Sequence, residues 1–148
     1  MEKNTTKKAR MGLFVACYKI GGNRLGAPLF DLHLCVNAPA GTVTGSGRIT
    51  QAVSPPLDLT ANMSGDFSYM TVMPRNVHIL VVATGYPAAP LLHAGGAGPA
   101  FPANVNLRMV LSEDWKVGVA NFKYIDSKGA WHEVENAPVK FAPCNSLS

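Results

Sequence analysis

Residues 57–73 read LDLTANMSGDFSYMTVM, and apolar and polar side chains alternate through most of this stretch. A period of two is typical of a β-strand with one buried face and one solvated face. Ser64, Gly65 and Asp66 separate the two alternating runs, and this tripeptide predicts a hairpin turn between two strands. The segment therefore indicates an antiparallel β protein.

The same pattern recurs along the chain, and helical periodicity is absent. On the third predicted strand, Gly45 and Gly47 fall on the apolar side, which predicts a sharp bend or a close approach of other atoms. The expected fold is all-β: an antiparallel β-barrel or β-sandwich of about eight to nine strands with mostly meander connections, the barrel being preferred. Besides the hairpin, strands are predicted over residues 13–20, 29–37, 42–51, 77–84, 105–111, 115–125 and 130–135, with a short final piece at 139–141.

The 148 residues are long enough for one domain with its own core. We expect a disordered basic tail over residues 1–10, a single β domain over 11–142 and a flexible C-terminus over 143–148. The formal net charge is +4, but the first ten residues carry four basic side chains and one acidic one. The rest of the chain holds nine basic and eight acidic residues, so a specific nucleic-acid surface is not expected.

The longest strongly apolar stretch, residues 79–83, is too short to span a bilayer. The N-terminus lacks the pattern of a signal peptide, so a cytoplasmic location is expected, with export that needs no cleavable signal left open. Three cysteines argue against a disulfide framework. Cys17 and Cys35 lie on successive predicted strands, where they could face one another across a hairpin, and in a reducing compartment we expect both to be thiols. We expect Cys144 to be exposed and able to cross-link dimers on oxidation.

Asp31, His33 and Cys35 form the best candidate for a catalytic site. The three residues alternate with apolar ones, so an acid, an imidazole and a thiol share one face of the second predicted strand. Such groups support nucleophilic or acid–base chemistry when other strands supply partners. Solvated polar side chains give the same pattern. No phosphate-binding loop, cofactor motif or metal-ligand spacing is present, and we predict no cofactor and no metal site.

Residues 85–102 form the best candidate for a binding surface. A connection of this length is unusual in a compact domain and commonly has a function or a packing partner. Its aromatic, apolar and imidazole side chains are the predicted binding residues: Tyr86, Leu91, Leu92, His93 and Phe101.

Three motifs carry a resemblance to a known family: residues 45–58 (GSGRITQAVSPPLD), 69–74 (YMTVMP) and 78–87 (HILVVATGYP). They resemble a small bacterial family known only as a domain of unknown function. The similarity covers about residues 11–142. The resemblance implies a bacterial source, and it supplies no catalytic residue.

The favoured interpretation is a non-enzymatic binding or interaction module that uses the long loop 85–102. Its partner is an unidentified protein or small molecule, and its oligomeric state is not predicted. One alternative is an enzyme that uses the Asp31, His33 and Cys35 face. Another is a structural protein that assembles through the edges of its strands.

Overall fold

The chain folds into a closed barrel of eight antiparallel strands in meander order. The computed structural model describes residues 12–72, 76–87 and 102–144. The predicted all-β barrel is confirmed, and a sandwich is not supported. None of the described residues forms a helix that could cross a membrane. The strands are β1 (Leu13–Gly21), β2 (Leu29–Asn37), β3 (Thr42–Gln51), β4 (Leu57–Val72), β5 (Asn76–Pro87), β6 (Val105–Ser112), β7 (Val117–Ile125) and β8 (Trp131–Ala142).

The predicted hairpin at residues 57–73 is wrong, because β4 is one continuous strand of 16 residues. β3 pairs with its first part and β5 with its second part, so Ser64, Gly65 and Asp66 lie within the strand. A Cβ atom on Gly65 would overlap the carbonyl oxygen of Val82 on β5. Gly65 therefore allows two backbones to approach closely, and it does not form a turn.

Three other strands differ from the predictions by more than one residue at a boundary. β5 continues to Pro87, so the predicted long loop begins inside a strand. Trp115 lies in the turn before β7, with its φ at 67°. β8 is one strand where two pieces are predicted, since a bulge at Asn136 joins them. Asn136 has a φ of 57°, and its N–H donates to Oδ1 of Asn121 at 2.7 Å.

Inward side chains fill the barrel. The rings of Phe30 on β2 and Phe122 on β7 meet inside the barrel with centroids 5.1 Å apart. Trp115 closes one end by edge contacts with Phe14 at 5.2 Å and Phe67 at 5.1 Å. The Tyr18 hydroxyl donates to the Trp115 carbonyl at 2.8 Å, and burial raises the pKa of Tyr18. Buried side chains of the described residues therefore occupy the interior of the barrel.

Strand β8 closes the barrel against β1 through a short ladder, Cys17–Ile20 with Val139–Ala142. Just beyond this ladder, a disulfide joins Cys17 to Cys144, with the Cα atoms 5.3 Å apart. Cys17 is therefore in a disulfide and is not the thiol expected in a reducing compartment, and Cys144 bonds within the chain rather than between chains. Spacing along the sequence did not reveal this pairing, because only barrel closure brings the two cysteines together. The predicted tail 1–10 and residues 145–148 lie outside the described residues.

We expect Gly65→Ala to destabilise the barrel by about 1–3 kcal/mol, because the added methyl group overlaps the β5 backbone. Its Cβ would also lie 2.6 Å from the Cα of Ala83. The measurement is the free energy of unfolding in urea. Ser64→Ala is the matched control, since Ser64 precedes Gly65 on the strand and is exposed. Equal stability of the two variants would contradict the close approach.

We expect Cys144→Ser to lower the free energy of unfolding by about 2–4 kcal/mol, because the disulfide closes a long loop. The two cysteines are 127 residues apart in sequence. Oxidised wild-type protein and the variant are compared by urea unfolding. Cys35→Ser serves as the control because Cys35 is an exposed free thiol. A loss of stability in Cys35→Ser as large as that in Cys144→Ser would argue against this effect of the disulfide.

Candidate functional site

A groove with a volume of about 630 Å³ crosses the outer surface of β1 to β4. Its polar lining consists of side chains that point away from the core, and the segment that follows β8 borders it. We call it the outer groove, and we call residues 142–144, of which Ala142 and Pro143 line the groove, the C-terminal wall. The polar lining residues are Lys19, Asp31, His33, Ser46, Arg48, Thr60 and Asn62, and Cys17, Ala142 and Pro143 also line it.

Strand register places these side chains in two rows. In the first row, Cys17 pairs with His33, His33 with Ser46, and Ser46 with Asn62. The second row, two residues along each strand, runs Lys19, Asp31, Arg48 and Thr60. Ser46 is short and stands between two longer side chains, so the middle of the first row is recessed.

The charged groups of the groove are paired. Lys19 Nζ lies 2.7 Å from Asp31 Oδ1. Arg48 donates from Nε to Asp58 Oδ1 at 2.9 Å and from Nη2 to Asp58 Oδ2 at 2.8 Å. This bidentate pair lowers the pKa of Asp58 and raises that of Arg48. The groove therefore offers both hydrogen-bond donors and acceptors, with little net charge.

Two of the three predicted catalytic candidates line the groove. Asp31 and His33 both do so, whereas Cys35 is an exposed thiol that is not among the lining residues. The Asp31 carboxylate accepts from Lys19. Within the described residues, no hydrogen bond joins His33 to Asp31 or Ser46. The structure thus brings an acid and an imidazole to one groove without linking them as an acid–base pair.

Of the predicted binding residues, the described part of the chain contains one. Tyr86 lies on β5 directly opposite Asn62, and 46% of its surface is exposed. Tyr86 therefore lies beside the outer groove, on the strand next to β4, which forms the groove's edge. Leu91, Leu92, His93 and Phe101 lie outside the described residues.

Sequence reasoning did not single out most of the groove. The side chains not selected are Lys19, Ser46, Arg48, Thr60 and Asn62. The sequence does contain a signal for Ser46, because the short turn between β2 and β3 pairs Asn37 with Thr42 and so sets the register of the two strands. Counting back from that pair places Ser46 opposite His33.

A family profile with the description "Domain of unknown function (DUF1842)" matches residues 11–131. The chain belongs to this family. The match takes in β1 to β7 and ends where β8 begins, so the C-terminal wall lies beyond it. A comparison with curated proteins finds no match. The family resemblance seen in the sequence is therefore confirmed, and the function must be argued from the groove.

A second depression of about 400 Å³ lies on the outer surface of β5 to β8. Its polar lining includes Asn106, Arg108, Lys123 and Glu133. Asn106 is exposed and stands opposite Thr84 and Lys123, away from the outer groove. It provides a control position for experiments on the groove.

A cluster of side chains, separate from the groove and the second depression, lies at the turn between β7 and β8. His132 Nε2 lies 2.7 Å from Asp126 Oδ2, and the His132 ring stacks on Tyr124 at 5.2 Å. Asp126 Oδ1 also accepts from the N–H groups of Lys128 and Ala130. These bonds stabilise the turn. Across residues 12–72, 76–87 and 102–144, no three His, Cys, Asp or Glu side chains are placed to hold a metal ion.

We expect Asp126→Asn to reduce the loss of stability on acidification between about pH 4 and pH 2. Hydrogen bonds, first from His132 and then from the turn backbone, lower the pKa of Asp126 from 3.8 to about 2. The ionised group therefore stabilises the fold above pH 3.8, and this contribution is lost as pH falls towards 2. The measurement is the urea midpoint at each pH. Glu113→Gln is the control, and an unchanged pH profile for Asp126→Asn would exclude this role.

Proposed function

We propose that this protein is a non-enzymatic binding module whose outer groove binds a small, neutral, hydroxyl-rich ligand of the saccharide class. The pairing of charges in the groove carries the proposal. Lys19 and Arg48 each have a carboxylate partner, so the groove lacks the uncompensated charge that would select an anion. Each sugar hydroxyl both donates and accepts hydrogen bonds. Such a group suits a surface that presents hydrogen-bond donors and acceptors side by side.

The dimensions of the groove favour a ligand of one or two sugar rings. Strands about 4.8 Å apart give four strands a width of roughly 14 Å, and rows two residues apart are about 6.6 Å from each other. The volume of about 630 Å³ lies within the range of small-molecule sites. Ser46 and Asn62 in the first row, and Thr60 at the end of the second row, add hydroxyl and amide groups.

Tyr86 supports the same ligand class. An aromatic ring beside a polar groove provides a flat apolar surface on which the C–H face of a sugar ring packs. The predicted loop 85–102 starts at this point of β5, so the proposal includes that loop as a second contact with the ligand.

The enzyme alternative receives less support from the geometry. Catalysis by Asp31, His33 and Cys35 needs these groups within hydrogen-bond reach of one another or of a common substrate atom. Asp31 is engaged by Lys19, and Cys35 lies outside the groove lining. Cys35→Ala and His33→Ala variants that lost a measurable hydrolase or thiol activity would favour the enzyme.

Assembly through free strand edges also receives less support. Every strand of the closed barrel has two strand neighbours, so no strand is free along its whole length. Light scattering over a series of protein concentrations tests this alternative directly. A growing particle mass at higher concentrations would favour it.

We expect Asn62→Ala to weaken saccharide binding about tenfold, because it removes an amide from the β4 end of the first row, opposite Tyr86. A panel of neutral mono- and disaccharides is titrated into 15N-labelled protein, and amide chemical shifts give both affinity and location. Asn106→Ala, the same substitution on the opposite outer surface, should bind as wild type does.

The expected shifts lie on β1 to β4 and on Tyr86. Absence of binding to every panel member would contradict the proposed function. So would shifts confined to the surface of β5 to β8, or an equal loss of affinity in the two asparagine variants.

A further inference from the structure

We propose that the Cys17–Cys144 disulfide makes binding in the outer groove dependent on redox state, by holding the C-terminal wall in place. The inference rests on the proposed function, because it concerns regulation of the same groove. In the oxidised protein the wall borders the groove, and in the reduced protein it is released. We expect the oxidised form to be the better binder.

The burial of Cys17 shows that the wall covers part of β1. Cys17 points away from the core, like Val15 and Lys19 on the same strand. Val15 is 56% exposed and Lys19 is also exposed, yet only 2% of Cys17 is exposed. Cys17 differs from these neighbours in that residues of the C-terminal wall pair with it and bond to it.

Beyond Ala142, the disulfide is the main tether of the wall. The β1–β8 ladder ends with the pair Cys17 and Ala142. Pro143 and Cys144 are both exposed, and no backbone hydrogen bond to either is found among the described residues. Pro143 has no N–H to donate. Cleaving the sulfur–sulfur bond therefore removes the link that fixes these two residues beside the groove.

A dithiol reductant can open the bond by two exchange steps. Cys144 is exposed and Cys17 is buried, so the reductant's thiolate attacks the Cys144 sulfur and Cys17 leaves as a thiolate. The second thiol of the reductant then displaces Cys144 from the mixed disulfide. The reductant ends as its own disulfide, and the two protein sulfurs, after protonation, are thiols.

Release of the wall changes the groove in two ways. Pro143 no longer borders the ligand, and Cys17 becomes accessible opposite His33. A ligand then loses contact surface and must also order a mobile segment in order to regain it, which lowers affinity. We expect at least a fivefold weaker saccharide affinity in the reduced protein.

The first experiment needs no ligand and uses the full chain with Cys35→Ser, which removes the free thiol. The protein is treated with iodoacetamide under native conditions, and the adducts are counted by mass spectrometry. We expect none in the oxidised protein and two after reduction, at Cys17 and Cys144. If only Cys144 is modified after reduction, and the circular-dichroism spectrum is still that of the folded barrel, the wall has stayed in place and the inference is overturned.

The second experiment repeats the saccharide titration on the oxidised and reduced forms of the Cys35→Ser protein. Cys144→Ser should match the reduced form. Pro143→Gly, which keeps the disulfide, should weaken binding in the oxidised form without the stability loss of Cys144→Ser. Equal affinities of the oxidised and reduced forms would overturn the inference and leave the proposed function standing. An oxidised protein that binds no saccharide would contradict the proposed function and redox control of binding with it.

Discussion

Close approach of neighbouring backbones is the constraint on which this barrel depends. At Gly45 on β3, Gly65 on β4 and Gly118 on β7, a carbonyl oxygen of the adjacent strand occupies the space that a Cβ atom would need. Positions of this kind allow a sheet to coil tightly, and eight strands must coil in order to close on themselves. Because these positions carry no side chain, the sheet can close, and inward residues from opposite sides pack across the barrel axis, as Phe30 and Phe122 do.

Much of the fold was predictable from the sequence, because alternation of apolar and polar residues reports directly on which face of a strand is buried. The bounds of β2 and β3 agree with the prediction. Gly65 was misinterpreted for a physical reason: glycine is favoured both in turns and where another backbone comes near. The second case depends on Val82, a residue from a different strand, and local sequence does not contain that information.

The candidate site was predictable only in part, since polar residues cover every outward face of a barrel. Asp31 and His33 were selected because they share one strand. Lys19 and Asn62 belong to the same groove through register across three hairpins, which a pattern within one strand cannot show. The disulfide between Cys17 and Cys144 is still harder to predict from sequence, because it forms only when β8, the last strand, pairs with β1.

Barrel closure and the groove share several residues, and this overlap would link folding to the proposed binding. The ladder of Cys17–Ile20 with Val139–Ala142 closes the sheet, while Cys17, Lys19 and Pro143 line the outer groove. A ligand that contacts both β1 and the C-terminal wall bridges the seam between the first and last strands. If reduction weakens binding by a given factor, the bound ligand must disfavour reduction by the same factor, because the two equilibria share one thermodynamic cycle. On this proposal, a bound ligand protects the disulfide that helps to build its own site, and the barrel is more stable against opening at this seam when the groove is occupied.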